Sequence, residues 1–336
     1  MSELNKIALK ILSNGKGILA ADESNGTMTK RLDSVNVSSS PENRLLFRET
    51  LFSSNGMRDF IGGVILYDET INQTSGSKKT IPELISISGA VPGIKVDTGA
   101  KVLAGSIEEK ITEGLDGLRE RLQAYYKLGA RFTKWRGVYN ISDKYPSKLS
   151  MHANAHALAR YSALVQECGM VPIVEPEVLM DGDHSAQTCL KKTSEVIKRC
   201  FEELMINKID LSGIILKPNM ILPGNTSNKK IPTEEVAKLT LKCLKENVPS
   251  NVPGIAFLSG GQTEVEATEN LNLINKYNDT NFIMTYSFGR ALQKSALKFW
   301  SKDIKNIEGT QKIFNHRAKM CTLAAQGKWS AELETK

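Results

Sequence analysis

The sequence lacks any apolar run long enough to cross a lipid bilayer. Such a span needs about 18 consecutive apolar residues, and no segment of the 336 residues reaches that length. A secretory signal is not indicated either, because the N-terminal stretch MSELNKIALKIL mixes charged residues with its apolar ones. We therefore expect a soluble, cytoplasmic protein with no membrane association.

Cysteine is scarce, and its spacing excludes two kinds of small-domain scaffold. The chain has five cysteines, an odd number, and none forms a CxxC pair. Neither a disulfide framework nor a zinc site is indicated, and a reducing compartment is expected.

Clusters of positive charge are also missing. The net charge is +7, but the basic residues are spread along the chain, and no zinc-finger, RNP-like or basic-zipper pattern is present. This argues against nucleic-acid binding. The overall charge favours anionic partners, such as phosphorylated metabolites or acidic protein surfaces.

What the chain does contain is a regular alternation of short β-rich runs and amphipathic stretches with apolar residues three or four apart. Eight such runs are present: Gly15–Ser24, Ile61–Thr70, Val91–Gly99, Ala130–Tyr139, Met170–Val178, Leu211–Asn219, Gly254–Gln262 and Phe282–Arg290. The main helical segments predicted between them are Ser40–Ser53, Asp116–Leu128, Ala153–Cys168, Ala186–Met205, Thr233–Glu246 and Glu264–Asn275.

Eight strands alternating with helices predict a (β/α)8 TIM barrel, because eight is the number of parallel strands that closes. No Gly/Ser/Pro-rich linker divides the chain, so we expect one catalytic domain over residues 1–336, with extra N- and C-terminal helices. The alternative, an open doubly wound sheet, usually carries a GxGxxG loop after its first strand. Here AADESNGT follows instead.

Charged or hydroxylic residues end the eight predicted strands. One such residue alone is usually a solvated boundary residue. The strand ends of a barrel converge on its active site, so we expect this set to lie together: Asp22, Asp68, Lys95, Lys134 with Arg136, Glu175, Lys217, Ser259, and Ser287 with Arg290.

Lys217 is the best candidate for a nucleophile. It follows Ile214, Ile215 and Leu216 and precedes Pro218. Apolar walls and neighbouring cations both disfavour a protonated amine, and an uncharged amine can attack a carbonyl to form a Schiff base.

The last two strands predict a phosphate site. LSGG at Leu258–Gly261 and SFGR at Ser287–Arg290 lie where barrels of this kind usually bind phosphate. A phosphorylated carbonyl substrate, a reactive amine and nearby carboxylates together predict aldol chemistry, in which an iminium accepts the electrons of the breaking carbon–carbon bond.

The same motifs resemble the class I fructose-bisphosphate aldolases over nearly the whole chain. In order they are GKGILAADES, GGVIL, GIKVDTG, TKWR, VPIVEPEV, ILKPNM, FLSGGQ and SFGRALQ. The resemblance implies reversible, metal-independent cleavage of fructose 1,6-bisphosphate to dihydroxyacetone phosphate and glyceraldehyde 3-phosphate, in glycolysis and gluconeogenesis. It also implies a homotetramer and no cofactor.

The resemblance assigns a catalytic role to five residues. Lys217 would form the Schiff base and Glu175 would act as its acid–base partner, supported by Glu177. Asp22 would bind the C4 hydroxyl and assist its proton transfer, and Lys134 would contact the substrate and help keep Lys217 uncharged.

Ten further residues would bind substrate. Lys95 and Arg136 would contact the sugar. Five residues match the phosphate site at the dihydroxyacetone phosphate end: Ser259, Gly260, Ser287, Gly289 and Arg290. Ser24, Thr27 and Arg31 resemble contacts to the other phosphate, with Thr27 standing where a serine is common.

The C-terminal region departs from the pattern. Many family members end on a tail whose final tyrosine transfers the enamine proton, whereas the last aromatic residue here is Trp329. We expect another ordered group, or the substrate phosphate, to supply that proton.

Three alternatives remain open at this point. His152 and His156 have the i, i+4 spacing of metal ligands on a helix, as a zinc-dependent aldolase would require. No third ligand is indicated, so surface or helix-packing histidines are favoured. A transaldolase-like enzyme would also use a barrel lysine, and the basic surface is compatible with a scaffold role, binding actin or acidic peptides.

Overall fold

Eight of the ten β-strands form a closed parallel barrel in the computed structural model, which describes residues 1–335. The barrel order is β1-β2-β3-β6-β7-β8-β9-β10, closing on β1. The strands are β1 Gly17–Ala20, β2 Ile61–Leu66, β3 Val91–Lys95, β4 Gly99–Leu103, β5 Ser106–Glu113, β6 Phe132–Tyr139, β7 Val171–Val178, β8 Ile215–Leu216, β9 Gly254–Phe257 and β10 Ile283–Phe288. The (β/α)8 prediction is confirmed.

Helices connect consecutive barrel strands and pack around them. Their bounds are α1 Glu3–Leu12, α2 Asn25–Asp33, α3 Pro41–Phe52, α4 Gly56–Phe60, α5 Asp68–Ile71, α6 Ile81–Ile87, α7 Leu118–Lys127, α8 Lys148–Glu167, α9 Ala186–Ile206, α10 Thr233–Asn247, α11 Glu264–Tyr277, α12 Arg290–Trp300 and α13 Ile307–Ala325. Short 3-10 turns lie at Ser13–Gly15, Leu211–Gly213 and Ala331–Thr335. Within residues 1–335, none of the helices is both long enough and apolar enough for a membrane span.

Two details differ from the sequence prediction. The antiparallel hairpin β4–β5 was not predicted, because most of its side chains face solvent and give no apolar run. The sixth barrel strand is also much shorter than predicted. Residues Leu211–Gly213 form a 3-10 turn that is capped by the Asp210 side chain, so only Ile215 and Leu216 pair as a strand.

Helix α1 closes the amino-terminal end of the barrel. Its buried residues Ala8, Ile11 and Leu12 belong to the same apolar cluster as the inward-facing strand residues. Those strand residues are Ile18, Ala20, Ile65, Val91, Phe132, Val171, Ile173, Ile215 and Ala256. A larger apolar layer lies between the strands and the surrounding helices, so the polar residues of the barrel gather at its carboxyl end.

Gly62 shows how closely α1 approaches the barrel. A Cβ added there would lie 1.9 Å from the Ile11 carbonyl oxygen, a backbone atom that cannot move without displacing α1. We expect Gly62→Ala to lower the free energy of unfolding by about 2–3 kcal/mol through overpacking, measured as a shift in the denaturant midpoint. Gly76→Ala is the matched control, because the nearest atom to its Cβ would be Glu49 Oε1 at 3.5 Å. Equal midpoints for the two variants would contradict this packing.

Candidate active site

A cleft of about 290 Å³ opens at the carboxyl ends of the barrel strands, and all fifteen predicted site residues line it. Each lies on a barrel strand or on the connection that follows one, except Thr27 and Arg31, which lie on α2, and Arg290, which lies at the start of α12. Asp68, which also ends a predicted strand, is not part of the cleft. It begins α5, and its carboxylate accepts a hydrogen bond of 2.7 Å from the Tyr125 hydroxyl, so the expectation that Asp68 joins the set is wrong.

Lys217 lies immediately after β8 and is buried, with 4% of its surface exposed. Its backbone N–H donates to the Val174 carbonyl at 2.8 Å, so the pairing with β7 continues one residue past the assigned strand. Pro218 has no N–H to extend this pairing. Its carbonyl instead accepts from the Leu258 N–H at 3.1 Å, which links the end of β8 to the end of β9.

The Lys217 amine takes part in a line of alternating charges. Lys217 Nζ lies 3.2 Å from Glu175 Oε1, and Glu175 Oε2 lies 3.4 Å from Lys134 Nζ. Lys134 Nζ in turn lies 2.6 Å from Asp22 Oδ2. Because all four side chains are largely buried, these charges are poorly screened and interact strongly.

This arrangement sets the protonation states of its members. Burial alone would raise the pKa of Asp22, but the positive charges of Lys134 and Lys217 outweigh it and hold that pKa far below its usual range. Burial likewise opposes ionisation of Glu175, yet Lys134, Lys217 and Arg136 lower its pKa. Lys134 is desolvated too, but Asp22 and Glu175 raise its pKa well above the ordinary value. Lys134 is therefore a fixed cation between two carboxylates.

Glu175 also keeps one oxygen available. Its Oε2 is buried and accepts no hydrogen bond within the described part of the chain, although it forms an ion pair with Lys134 Nζ at 3.4 Å. Buried polar atoms are nearly always hydrogen-bonded. An unpartnered carboxylate oxygen in a cleft can therefore accept a proton or a hydrogen bond from a bound molecule.

A second set of ion pairs lies beside the first. Arg136 pairs with Glu177, and Lys95 Nζ lies 3.1 Å from Asp97 Oδ1. The sequence reasoning missed Asp97, which also accepts from the Arg136 and Gly99 N–H groups. Its position two residues after Lys95 was the available signal, since alternate residues of an extended chain share a face.

Glu23 is a further cleft residue that the sequence reasoning missed. Its side chain is buried and pairs with Arg31, and it accepts from the Gln293 amide at 3.1 Å. The fully buried Arg48 donates to the Glu23 carbonyl at 2.8 Å. Nothing in the stretch AADES distinguished Glu23 from a solvated residue, because its partners lie on three helices, α2, α3 and α12, that only the fold brings together.

One end of the cleft is built to bind an anion. Helix α12 begins at Arg290, directly after β10 and Gly289, and helix N-termini attract negative charge. Ser287 is buried, and its hydroxyl has no hydrogen-bond partner within residues 1–335. Arg31 also reaches this end, since a Cβ on Gly289 would lie 3.8 Å from Arg31 Nη2.

The other end contains the start of α2. Ser24 caps this helix by accepting from the Thr27 N–H, and the two hydroxyl oxygens lie 3.1 Å apart. Hydroxyl groups next to a helix N-terminus also suit an anion. The cleft therefore has two groups of residues suited to an anion, and the Lys217 amine lines the same cleft.

The two histidines of the i, i+4 pair lie outside the cleft. His152 and His156 are half-exposed on α8, and each Nδ1 lies 3.1 Å from an oxygen of the buried Glu203 on α9. Arg199 Nη2 also binds Glu203, at 2.7 Å. No group of three potential ligands in residues 1–335 is arranged to hold a metal ion.

Trp329 is also remote from the cleft. It is buried, its backbone N–H donates to the Asn272 side-chain oxygen of α11 at 3.1 Å, and its indole N–H donates to Glu334 at 2.8 Å. Glu334 is bound in turn by Arg317 of α13, at 2.6 Å. The C-terminal segment thus packs on the outer helices.

Comparison with known proteins gives a consistent result. A profile of the family described as "Fructose-bisphosphate aldolase class-I" matches residues 3–336. The chain is 47% identical over 330 residues to a probable fructose-bisphosphate aldolase class 1 of Xylella fastidiosa, covering 98% of this chain and 99% of that one. It is 45% identical to the cytosolic fructose-bisphosphate aldolase 4 of Arabidopsis thaliana, covering 99% of this chain and 85% of that one.

A solved structure agrees with these matches. It is that of fructose-bisphosphate aldolase from Plasmodium falciparum in complex with TRAP and a small-molecule inhibitor. The TM-score is 0.96 at 42% identity, and the match covers 98% of this chain and 95% of that one.

Proposed function

Because the chain belongs to the class I fructose-bisphosphate aldolase family, we propose that Lys217 forms the Schiff base through which it acts. The activity of the family, metal-independent and reversible cleavage of fructose 1,6-bisphosphate, is that of this chain. The observation that carries the proposal is the buried Lys217 amine, 3.2 Å from a carboxylate, in a cleft that also contains two groups of residues suited to an anion.

The proposed reaction begins with attack of the Lys217 nitrogen on C2 of the ketose. The Glu175 carboxylate takes one proton from the Lys217 ammonium with which it pairs, and then returns that proton to the carbinolamine hydroxyl, which leaves as water and gives the iminium. Asp22 binds the C4 hydroxyl and assists loss of its proton. The C3–C4 electron pair then moves into the iminium, which releases glyceraldehyde 3-phosphate and leaves an enamine on Lys217.

Lys134 supports these steps from its place between Asp22 and Glu175. As a fixed cation it keeps both carboxylates ionised and fixes their separation. Glu177, Lys95 and Arg136 complete the cleft, and we propose that they support Glu175 and bind the sugar hydroxyls.

We assign the two anion-binding ends to the two phosphates. The end with α12 would bind the C1 phosphate, which dihydroxyacetone phosphate retains, through Ser259, Gly260, Ser287, Gly289 and Arg290. Ser24 and Thr27 at the start of α2, with Arg31 of the same helix, would bind the C6 phosphate. The unpartnered Ser287 hydroxyl supports the first assignment.

The condensation direction tests this assignment, because each of its two substrates carries one phosphate. Removing a charged hydrogen-bond donor costs about 1.5–3 kcal/mol, so we expect Arg290→Ala to raise KM for dihydroxyacetone phosphate about 10- to 100-fold. KM for glyceraldehyde 3-phosphate should stay within about 2-fold. Thr27→Ala is the matched control and should show the reverse pattern, with a smaller effect. The same KM shift for both substrates in either variant would contradict the assignment.

A transaldolase-like activity is less well supported. Such an enzyme has no need of a second phosphate clamp, whereas this cleft has an anion-binding feature at each end. Cleavage of fructose 1,6-bisphosphate without an added acceptor aldehyde separates the two activities.

We infer a single catalytic domain over residues 1–336, of which Lys336 lies outside the described residues. The barrel strands run from Gly17 to Phe288, and α1 and α13 pack against them. A cytosolic location is supported by the relative named cytosolic. A homotetramer is supported by apolar side chains that the single chain leaves exposed, including Ile107, Val102 and Ile206.

A scaffold role has one observation in its favour. A groove of about 520 Å³ beside the cleft has apolar walls that include Met28, Phe47 and Leu297. Its basic residues are Arg31, Arg290, Lys294, Lys298 and Lys302. This charge pattern fits an acidic peptide, and peptide binding that survives loss of catalysis in Lys217→Met would separate the two functions.

A further inference from the structure

The loop Leu258–Gln262 separates two cavities. Its front faces the catalytic cleft, which is lined by Ser259 and Gly260. Behind it lies a second cavity of about 310 Å³, which Gly260, Gly261 and Gln262 line from this side. The opposite walls come from Met180, Leu222, Ile231 and Val236, and from Asn270 of α11. The loop is therefore packed only in part on this side, where Met180 lies near Gly260 and Gly261.

The backbone of the loop also has unusual freedom. Gly260 and Gly261 have φ values of +24° and +77°, in the left-handed region that glycine enters without strain. Glycine also has the largest range of alternative conformations. A loop of two glycines between two cavities needs a specific restraint if it is to present one arrangement of N–H groups.

A chain of side-chain hydrogen bonds supplies that restraint. The Asn270 amide donates to Gln262 Oε1 at 2.7 Å, and Gln262 Nε2 donates to the Ser259 carbonyl at 3.0 Å. The Gln262 backbone N–H donates to the same carbonyl at 2.9 Å. Asn270 is buried on α11, so the Ser259 carbonyl is tied to a rigid helix.

Fixing this carbonyl also fixes an N–H group. The Ser259 carbonyl and the Gly260 N–H belong to one planar trans peptide, so they point in opposite directions. The carbonyl is bound from the side of Gln262 and α11, which turns the Gly260 N–H toward the catalytic cleft. The N–H groups of Ser259 and Gly260 have no acceptor within the described chain, which leaves them available to a ligand.

We propose that Gln262 is a positioning residue, which holds the Ser259–Gly260 peptide so that its N–H group binds the C1 phosphate of the substrate. The inference rests on the proposed function, which assigns this phosphate to the loop. Gln262 itself lines the rear cavity and touches no substrate. It acts on substrate affinity through the backbone of Ser259.

The test compares two glutamines in the condensation reaction. Gln262→Met keeps the length of the side chain and removes its donor. Gln311→Met makes the same change on α13, where the amide donates to the Thr50 carbonyl at 2.9 Å, away from the cleft. A lost hydrogen bond is worth about 0.5–1.5 kcal/mol, so Gln262→Met should raise KM for dihydroxyacetone phosphate about 3- to 10-fold. Its kcat and its KM for glyceraldehyde 3-phosphate should match the wild type.

A second variant addresses the other end of the chain of hydrogen bonds. Asn270→Leu leaves Gln262 in place but removes its anchor, so the same KM should rise by a smaller factor. Gln311→Met should leave all three kinetic constants unchanged, even if its denaturant midpoint falls.

The outcomes distinguish failure of the Gln262 positioning role from failure of the C1 phosphate assignment on which it rests. If Gln262→Met leaves KM for dihydroxyacetone phosphate unchanged while Arg290→Ala raises it, the positioning role is wrong and the phosphate assignment stands. If Arg290→Ala also has no effect, both are wrong. Equal changes in both KM values, or a fall in kcat alone, would indicate a general structural effect and overturn the positioning role.

Discussion

Lys217→Met should lower kcat for cleavage of fructose 1,6-bisphosphate by about 10⁵-fold, the scale of loss seen when a covalent nucleophile is removed. The thioether cannot attack the C2 carbonyl, so no iminium forms to accept the electrons of the C3–C4 bond. Asp22, Lys134 and Glu175 would remain in the cleft but would have no electron sink to serve. Methionine has a similar length and suits the apolar walls, so the variant should fold.

Borohydride trapping identifies the lysine directly. Reduction of the wild-type chain with dihydroxyacetone phosphate should add one substrate remnant, located on Lys217 by peptide mapping. Lys217→Met should gain none. Lys245→Met is the control, because Lys245 lies on the surface and pairs with Asp279, and it should be trapped like the wild type.

Two results would contradict the Schiff-base proposal. One is an adduct on a different lysine in the wild-type chain. The other is loss of activity with EDTA in the absence of any trapping, which would indicate a metal-dependent reaction. Activity that is unaffected by EDTA, together with an adduct on Lys217, is the expected combination.

Glu175→Gln should lower kcat by about 10³-fold, within the range for a lost general acid–base group. The amide preserves the shape of the side chain but cannot transfer a proton to the carbinolamine hydroxyl. KM should change little, because Glu175 serves a chemical step and binds neither phosphate. The rate of borohydride trapping should fall with kcat, since a carbinolamine that has not lost water is not reduced.

Glu203→Gln is the matched control for this variant. Glu203 is also buried and bound to a cation, Arg199 at 2.7 Å, but it lies between outer helices. Each substitution removes a buried carboxylate that pairs with a cation, so both should lower the denaturant midpoint. Only Glu175→Gln should lower kcat and slow the trapping. An equal fall in kcat for both variants would contradict the acid–base role of Glu175.

The barrel was predictable because its parallel strands are covered on both faces. In the sequence such strands are seen as short, mostly apolar runs, and IGGVIL and VPIVEPEV are recognisable for this reason. The β4–β5 hairpin could not be found in the same way, since its two strands are mostly exposed. The short β8 strand was overestimated, because the apolar residues of LSGIIL read alike in a 3-10 turn and in a strand.

Only part of the site was predictable from the sequence. Residues such as Lys134 and Glu175 are polar side chains in apolar strands, and their positions alone indicate that they converge at the rim. Glu23 and Gln262 belong to the site through contacts with Arg31, Gln293 and Asn270, which come from separate helices. Such partnerships depend on how helices pack around the barrel, and no local pattern in the sequence encodes them.

Helix α1 closes the end of the barrel opposite the catalytic cleft. Ile11 and Leu12 pack beneath the inner apolar layer, so bulk water reaches the four charged residues of the cleft from the rim. Substrate enters through that same opening, and as it docks it displaces the remaining solvent above Lys217 and Glu175. Water should therefore screen these charges least once the sugar is bound. Binding of the substrate itself then strengthens the electrostatic field that Lys217 and Glu175 exert on it.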